Sequence, residues 1–169
     1  MKLVCCVQCL VFSVVMAACG WTSRTENTAV VKKLIQAQID LSVEGTRTKN
    51  IDLYMSVIPE DWVVHDEKGG TVSRDGLRRE ALEQWAIIEK TISIWRRVDR
   101  LEVHENNATV WTSQRWERLM HQRTGPALDH VVTTQQHEEH WRLVRGKWWC
   151  YDVKELGGEI FVNGKPYKE

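Results

Sequence analysis

Neither sign of charge is in excess in this chain of 169 residues, where 23 Lys and Arg stand against 23 Asp and Glu. Without a basic surplus there is little counterion release to drive nucleic-acid binding, so no nucleic-acid partner is expected. No acidic tail takes its place. Internal repeats and low-complexity tracts are missing as well. The chain holds no G-x-S-x-G, phosphate loop or dinucleotide fingerprint, and its C-x-x-C, Cys6-Val7-Gln8-Cys9, falls within the apolar first residues, so no cofactor is expected. Its six His include the run His137-Glu138-Glu139-His140, which lacks the H-E-x-x-H spacing. On a strand those two histidines face opposite ways, and no metal site is expected either. Phe and Tyr are scarce, at two and three, whereas Trp reaches nine. With 43% apolar and 27% charged residues the balance is that of one globular domain, which excludes a disordered chain and a polytopic membrane protein.

The first residues read as an address. Lys2 and the α-amino group precede Leu3 to Ala18, which is apolar apart from Gln8 and Ser13. That run is shorter than the roughly 20 residues of a membrane span and suits the apolar region of a secretory signal. Val15-Met16-Ala17-Ala18-Cys19-Gly20 then resembles a bacterial lipobox, in which Cys19 becomes the lipidated N-terminus. Residues 1–18 are thus expected to be a lipoprotein signal peptide and residues 19–27 a polar tether, with the membrane as a partner through the N-terminal lipid. Gly20 resembles the default for outer-membrane sorting in a Gram-negative cell. The expected location is the bacterial cell envelope, lipid-anchored and facing the periplasm. The alternative is an ordinary signal peptide with an incidental cysteine, giving a secreted or periplasmic soluble protein. Cleavage removes Cys5, Cys6 and Cys9, and lipidation of Cys19 leaves Cys150 without a disulfide partner. Cys150, inside Trp148-Trp149-Cys150-Tyr151, reads as a small buried side chain, with no basic neighbour to activate it.

From Thr28 the pattern is helical. Val30, Leu34, Ala37 and Leu41 form one ladder, Val31, Ile35 and Ile39 a second beside it, and Gly45 ends the helix. A short helix follows from about Asn50 to Val57. Trp62 to His65 reads as a strand, turned by Gly69-Gly70 into Thr71-Val72. Ser73 caps a third helix that places Leu77, Ala81, Trp85 and Ile88 on one face. After Lys90 the period becomes that of strands, 91–105, 108–120, 130–144 and 148–156, with turns at Asn106-Asn107 and Arg145-Gly146-Lys147. Residues 157–169 form a C-terminal extension with a small hairpin at Asn163-Gly164. The fold class is α+β, three helices on a strongly curved antiparallel sheet.

Asp61-Trp62-Val63-Val64-His65-Asp66, then Gly70 to Ser73 and Asp75-Gly76-Leu77-Arg78, form one group of motifs. His137-x-Glu139-x-Trp141 followed by Gly146-x-Trp148 forms another. In this order they resemble the nuclear transport factor 2-like superfamily, which includes SnoaL-like cyclases and ketosteroid isomerase. The resemblance spans about residues 28–156 and implies a cone-shaped domain, which family members often pair into a homodimer through the sheet face the helices leave open. Trp95, Trp116 and Trp149 are the candidate contacts by strand parity, whereas Trp85, Trp111, Trp141 and Trp148 are expected in the core or cavity wall.

The same resemblance implies that Asp66 occupies the place of the isomerase's general base and points into the cone. It puts Gln38 where the isomerase has its oxyanion-donating Tyr; Gln donates a hydrogen bond but lacks a phenol's acidity. The other reading of Asp66 is a turn cap beside Glu67-Lys68-Gly69. His137, Glu139 and Trp141 share one strand face and, with Trp85 and Gln38, are the candidate ligand-binding residues for a small, polar-headed apolar molecule. A cross-strand polar ladder is the structural alternative for that trio. Three functions stay open: a lipid-anchored binding or non-catalytic module, an acid/base enzyme of isomerase, cyclase or dehydratase type using Asp66 on a small carbonyl compound, and a glycan-binding module that uses its indoles.

Overall fold

The computed structural model describes residues 19–65, 71–122 and 124–167. The first helix, α1 (Cys19–Thr48), starts well ahead of Thr28. The stretch 19–27, expected as a tether, forms its first turns, since Trp21 to Asn27 contains no Pro or Gly to interrupt a helix. Gly45 does not end it either. The helix closes at Lys49, which takes left-handed backbone with φ 55°, while the Asn50 N–H donates to Gly45 O at 2.8 Å in a Schellman-type cap. Asn50 then caps α2 (Ile51–Met55), its Oδ1 accepting from the Leu53 N–H at 3.1 Å. Gly45 serves close approach instead: a Cβ there would lie 2.8 Å from Tyr54 Cα, so α2 can lie against α1 only where that side chain is missing.

Of the two ladders on α1, Val31, Ile35 and Ile39 enter the core, while Val30, Leu34 and Leu41 stay exposed. Strands β1 (Val63–His65) and β2 (Thr71–Ser73) pair antiparallel as a separate ribbon, with Val63 opposite Ser73. Asp66, between them, lies outside the described residues. Ser73 caps α3 (Arg74–Ala86), its Oγ accepting from the Gly76 N–H at 3.2 Å, and α3 buries Ala81 and Trp85.

The main sheet runs in chain order through β3 (Ile88–His104), β4 (Asn107–His121), β5 (Leu128–Val144), β6 (Lys147–Val162) and β7 (Lys165–Pro166), all antiparallel. Register shifts at Ile88/Lys90, Thr91/Ser93 and Val98/Arg100 bend β3 around the helices. The concave face carries Ala108, Val110 and Thr112 from β4, Thr133, His137, Glu139 and Trp141 from β5, and Trp148 and Cys150 from β6, all buried. Cys150 is the small core side chain expected, and burial pushes its thiol well above the usual range.

Two tryptophans exchange the faces expected of them. Trp111 stands on the convex face, where its indole N–H donates to Glu138 Oε2 at 3.0 Å and the Arg100 guanidinium lies 3.5 Å over its ring. Trp116 has the parity of buried Ala108 and Val110, so it turns inward and packs beside Trp85 and Ile88. It is therefore no candidate for a contact on the open face. The C-terminal extension also begins later than expected. β6 continues past Leu156, with Gly157 opposite Gln136 and Val162 opposite Val131. Gly158 lies so close to Thr134 O that a Cβ would clash, and Gly157 takes φ 147°, so each glycine of the pair has its own reason to sit inside the strand. No helix among the described residues is long and apolar enough to cross a membrane.

Candidate functional site

The helices and the concave sheet face enclose a cavity of about 590 Å³. Its wall is mostly apolar, with Trp62, Trp85, Ile94, Trp116 and Trp141 among the residues lining it. One polar group lies at its floor. Glu139, 1% exposed, accepts from Thr112 Oγ1 at 2.6 Å and from Trp141 Nε1 at 2.9 Å. Arg96 reaches over from β3, its Nη2 2.8 Å from Glu139 Oε1 and its Nε donating to Thr112 Oγ1 at 3.2 Å. Strand register brings these groups together: Thr112 is opposite His137 on β5 and Val98 on β3, and Arg96 is opposite Gln114. Helix α1 fixes the segment from behind, since Gln36 Nε2 donates to Arg96 O at 2.9 Å and Gln36 Oε1 accepts from the Val98 N–H at 2.8 Å.

Three residues of this wall carry buried polar atoms without a hydrogen-bond partner among the described residues: Trp62 Nε1, His137 Nδ1 and Arg96 Nη2. Arg96 Nη2 is nonetheless ion-paired, 2.8 Å from Glu139 Oε1, which leaves Trp62 Nε1 and His137 Nδ1 as the two without a polar partner among the described residues. Buried polar atoms are rarely left this way, because each forfeits the hydrogen bond it had with water. His137 is 8% exposed, and burial, helped by the neighbouring Arg96 charge, lowers its pKa from 6.5 to about 4. It is a neutral imidazole at physiological pH. The phenol of Tyr54, on α2, also lines the cavity, and burial raises its pKa. At the other end of the concave face stands Arg118, stacked on Trp116 at 4.3 Å.

Of the candidate residues, His137, Glu139, Trp85 and Trp141 line this one cavity. Gln38 does not line it; it lies half-buried on α1 with its Oε1 unpartnered. The phenol near the polar floor comes from Tyr54 on α2, not from α1. Arg96, Thr112, Tyr54 and Arg118 were not singled out from sequence. The available signal was parity, because Thr112 and Arg118 alternate in step with apolar Ala108 and Val110. No group of three or more His, Cys, Asp or Glu able to hold a metal ion occurs among the described residues.

Helices seated in the concave face of a single bent antiparallel sheet, with polar groups at the floor, define the nuclear transport factor 2-like or cystatin-like cone. No protein-family model matches the chain, and neither does any curated protein. Solved structures do match. A scytalone dehydratase-like protein from Novosphingobium aromaticivorans is 14% identical, with 79% of this chain and 89% of that one covered at a TM-score of 0.63. A hexachlorocyclohexane dehydrochlorinase is 13% identical over 85% and 93% of the two chains, with a TM-score of 0.62. A ketosteroid isomerase-like protein from Erwinia carotovora atroseptica is 12% identical over 75% and 96%, with a TM-score of 0.57. At such identities the likeness establishes the fold, and the chemistry must be argued from the site.

The lowered pKa of His137 has a consequence for stability. The unfolded chain takes up the proton first, near its ordinary 6.5, while the folded imidazole resists until about 4. Stability associated with His137 is therefore complete above about 6.5 and drains away as pH falls towards 4. Urea unfolding of the wild type and of His137→Gln across this range should show a steeper acid loss in the wild type. Parallel curves would contradict a neutral, buried His137.

Proposed function

We propose that the chain is a lipid-anchored envelope protein whose cone binds a small, largely apolar molecule bearing a polar group. The observation that carries the binding role is the pair of buried atoms on the cavity wall without a partner among the described residues, Trp62 Nε1 and His137 Nδ1. An apolar wall with a few uncommitted donors and acceptors suits a ligand that fills the space and satisfies them. A cone serving only as structure would gain by making these positions apolar, since each desolvated polar atom costs on the order of 1–3 kcal/mol. His137→Leu should therefore stabilise the empty protein slightly while losing ligand. Native mass spectrometry of the purified chain should show a bound small molecule that the variant lacks. A wild type carrying nothing, together with a variant that is no more stable, would overturn this reading.

The envelope role is supported by the lipobox-like run Val15 to Gly20. Cys19→Ala should release the protein from membranes and leave unprocessed precursor; normal processing to a soluble product would point to an ordinary signal peptide.

A second reading, acid/base catalysis on a carbonyl compound, is favoured by one arrangement. His137 is neutral, its Nδ1 is uncommitted, and the Arg96 cation stands close enough to depress its pKa. A base and a group able to stabilise an oxyanion would then face one cavity. In this reading Asp66 remains the candidate proton carrier implied by the isomerase resemblance. Glycan stacking is less well supported. On the convex face the rings of Trp95, Trp111 and Trp149 are already covered by Arg97, Arg100 and Lys147, at 5.2, 3.5 and 3.9 Å. A sugar would have to displace those cations. Pairing of two copies through the same face, with Trp95 and Trp149 at the contact, is the assembly we propose alongside the binding role.

A further inference from the structure

Arg118 differs from the other arginine of the cavity. Arg96 is held against Glu139, whereas the contacts of Arg118 are all neutral: Thr133 Oγ1 at 3.0 Å, Trp116 O at 3.4 Å and Met120 Sδ at 3.2 Å. Nη1 makes the first two and Nε the third, which leaves Nη2 without a hydrogen bond among the described residues. The Trp116 indole under the guanidinium holds it flat against the wall. Several arginines on the convex face and on the helices have a carboxylate partner, Glu44 for Arg47, Asp52 for Arg78, Asp99 for Arg97 and Glu117 for Arg115, while Arg74 rests on the Ile58 and Met55 carbonyls. Arg118 is a half-buried cation beside a cavity with no carboxylate partner among the described residues.

Its position relative to the floor is fixed by register. Arg118 is opposite Val131, and Thr112, which holds both Glu139 and Arg96, is opposite His137. Six residues of β4 separate these rows, about 20 Å of extended strand, less the bend of the sheet. Between them the wall carries Ile94, Trp116 and Trp85, interrupted by Gln114 and Gln135, which hydrogen-bond to each other at 3.2 Å. Among the described residues, the charged groups facing the cavity are Arg118 at one end, Arg96 and Glu139 opposed at the other, and exposed Glu80 on α3. Within that set, only Arg118 is partly desolvated and lacks an opposing charge. Burial lowers its pKa to about 10, which leaves it cationic at neutral pH.

Building on the binding reading above, we infer that the ligand is a small amphiphilic carboxylic acid whose carboxylate sits on Arg118 and whose apolar body runs along Trp116 towards the Arg96 and His137 floor. The N–H donors left on Nη2 are matched to a singly charged head, because a hydrogen bond from a guanidinium to a carboxylate oxygen is charge-assisted. The low-dielectric wall strengthens that contact relative to a surface pair. A neutral polar group at the far end of the same molecule would satisfy His137 Nδ1.

The test uses three probes of one length, decanoate, decanol and decylamine, titrated calorimetrically into the full chain at neutral pH. Decanoate should bind at least about tenfold more tightly than decanol, and decylamine more weakly than either. In Arg118→Gln the preference for decanoate should vanish while decanol affinity stays as it was. Equal affinity of the wild type for decanoate and decanol would overturn the inference and leave the binding reading standing. So would a decanoate preference that survives in Arg118→Gln. Failure of all three probes, in a wild type that also carries no co-purified molecule, would remove both.

Discussion

A carboxylate taken out of water has to be held, and the interior of this cone is organised around holding Glu139. Thr112, Trp141 and Arg96 converge on its two oxygens from β4, from β5 and from β3. Removing one partner of such a buried pair typically costs about 3–5 kcal/mol, a sizeable share of the 5–15 kcal/mol by which a domain is stable. The constraint extends outward. Arg96 can reach Glu139 only if β3 keeps its register, and Gln36 pins that part of β3 through the Arg96 carbonyl and the Val98 amide. The helix layer and the polar floor are thus parts of one arrangement.

Fixing Glu139 has a consequence for its neighbours. The lone pairs that receive Thr112 and Trp141 are committed and Arg96 is paired to the same carboxylate, while His137 stays neutral beside it with its Nδ1 unpartnered among the described residues. The result is a floor that can both donate and accept, under an apolar vault of indoles. Such a site orients a polar group without holding a strong net charge there. The unopposed cation, Arg118, stands further along the same wall. The cavity is therefore amphipathic along its length, which suits an elongated ligand better than a compact one.

Much of this was legible in the residues themselves. Ser73 as a helix cap and the turn at Arg145-Gly146-Lys147 follow from local chemistry that tertiary contacts do not override. The shared face of His137, Glu139 and Trp141 follows from the period of a strand. What failed depended on contacts between distant segments. Gly45 looks like a helix stop until Tyr54 is known to pack against it, and Gly157-Gly158 looks like a strand end until Thr134 is known to lie beneath it. Trp111 and Trp116 were assigned to opposite faces, correctly, but the faces were exchanged, because both sides of β4 carry an indole. Of the missed site residues, Arg118 shares the strand parity of Ala108 and Val110, whereas the place of Arg96 beside the floor follows only from the register across β3 and β4.

The central claim is that the cone's unpartnered atoms face a ligand. A crystal structure of the chain, purified without denaturation and never stripped, tests it most directly. The account predicts electron density in the cavity, with polar atoms about 2.7–3.2 Å from Trp62 Nε1 and from His137 Nδ1. A cone closed by its own side chains, with those two nitrogens satisfied by protein groups, would contradict it.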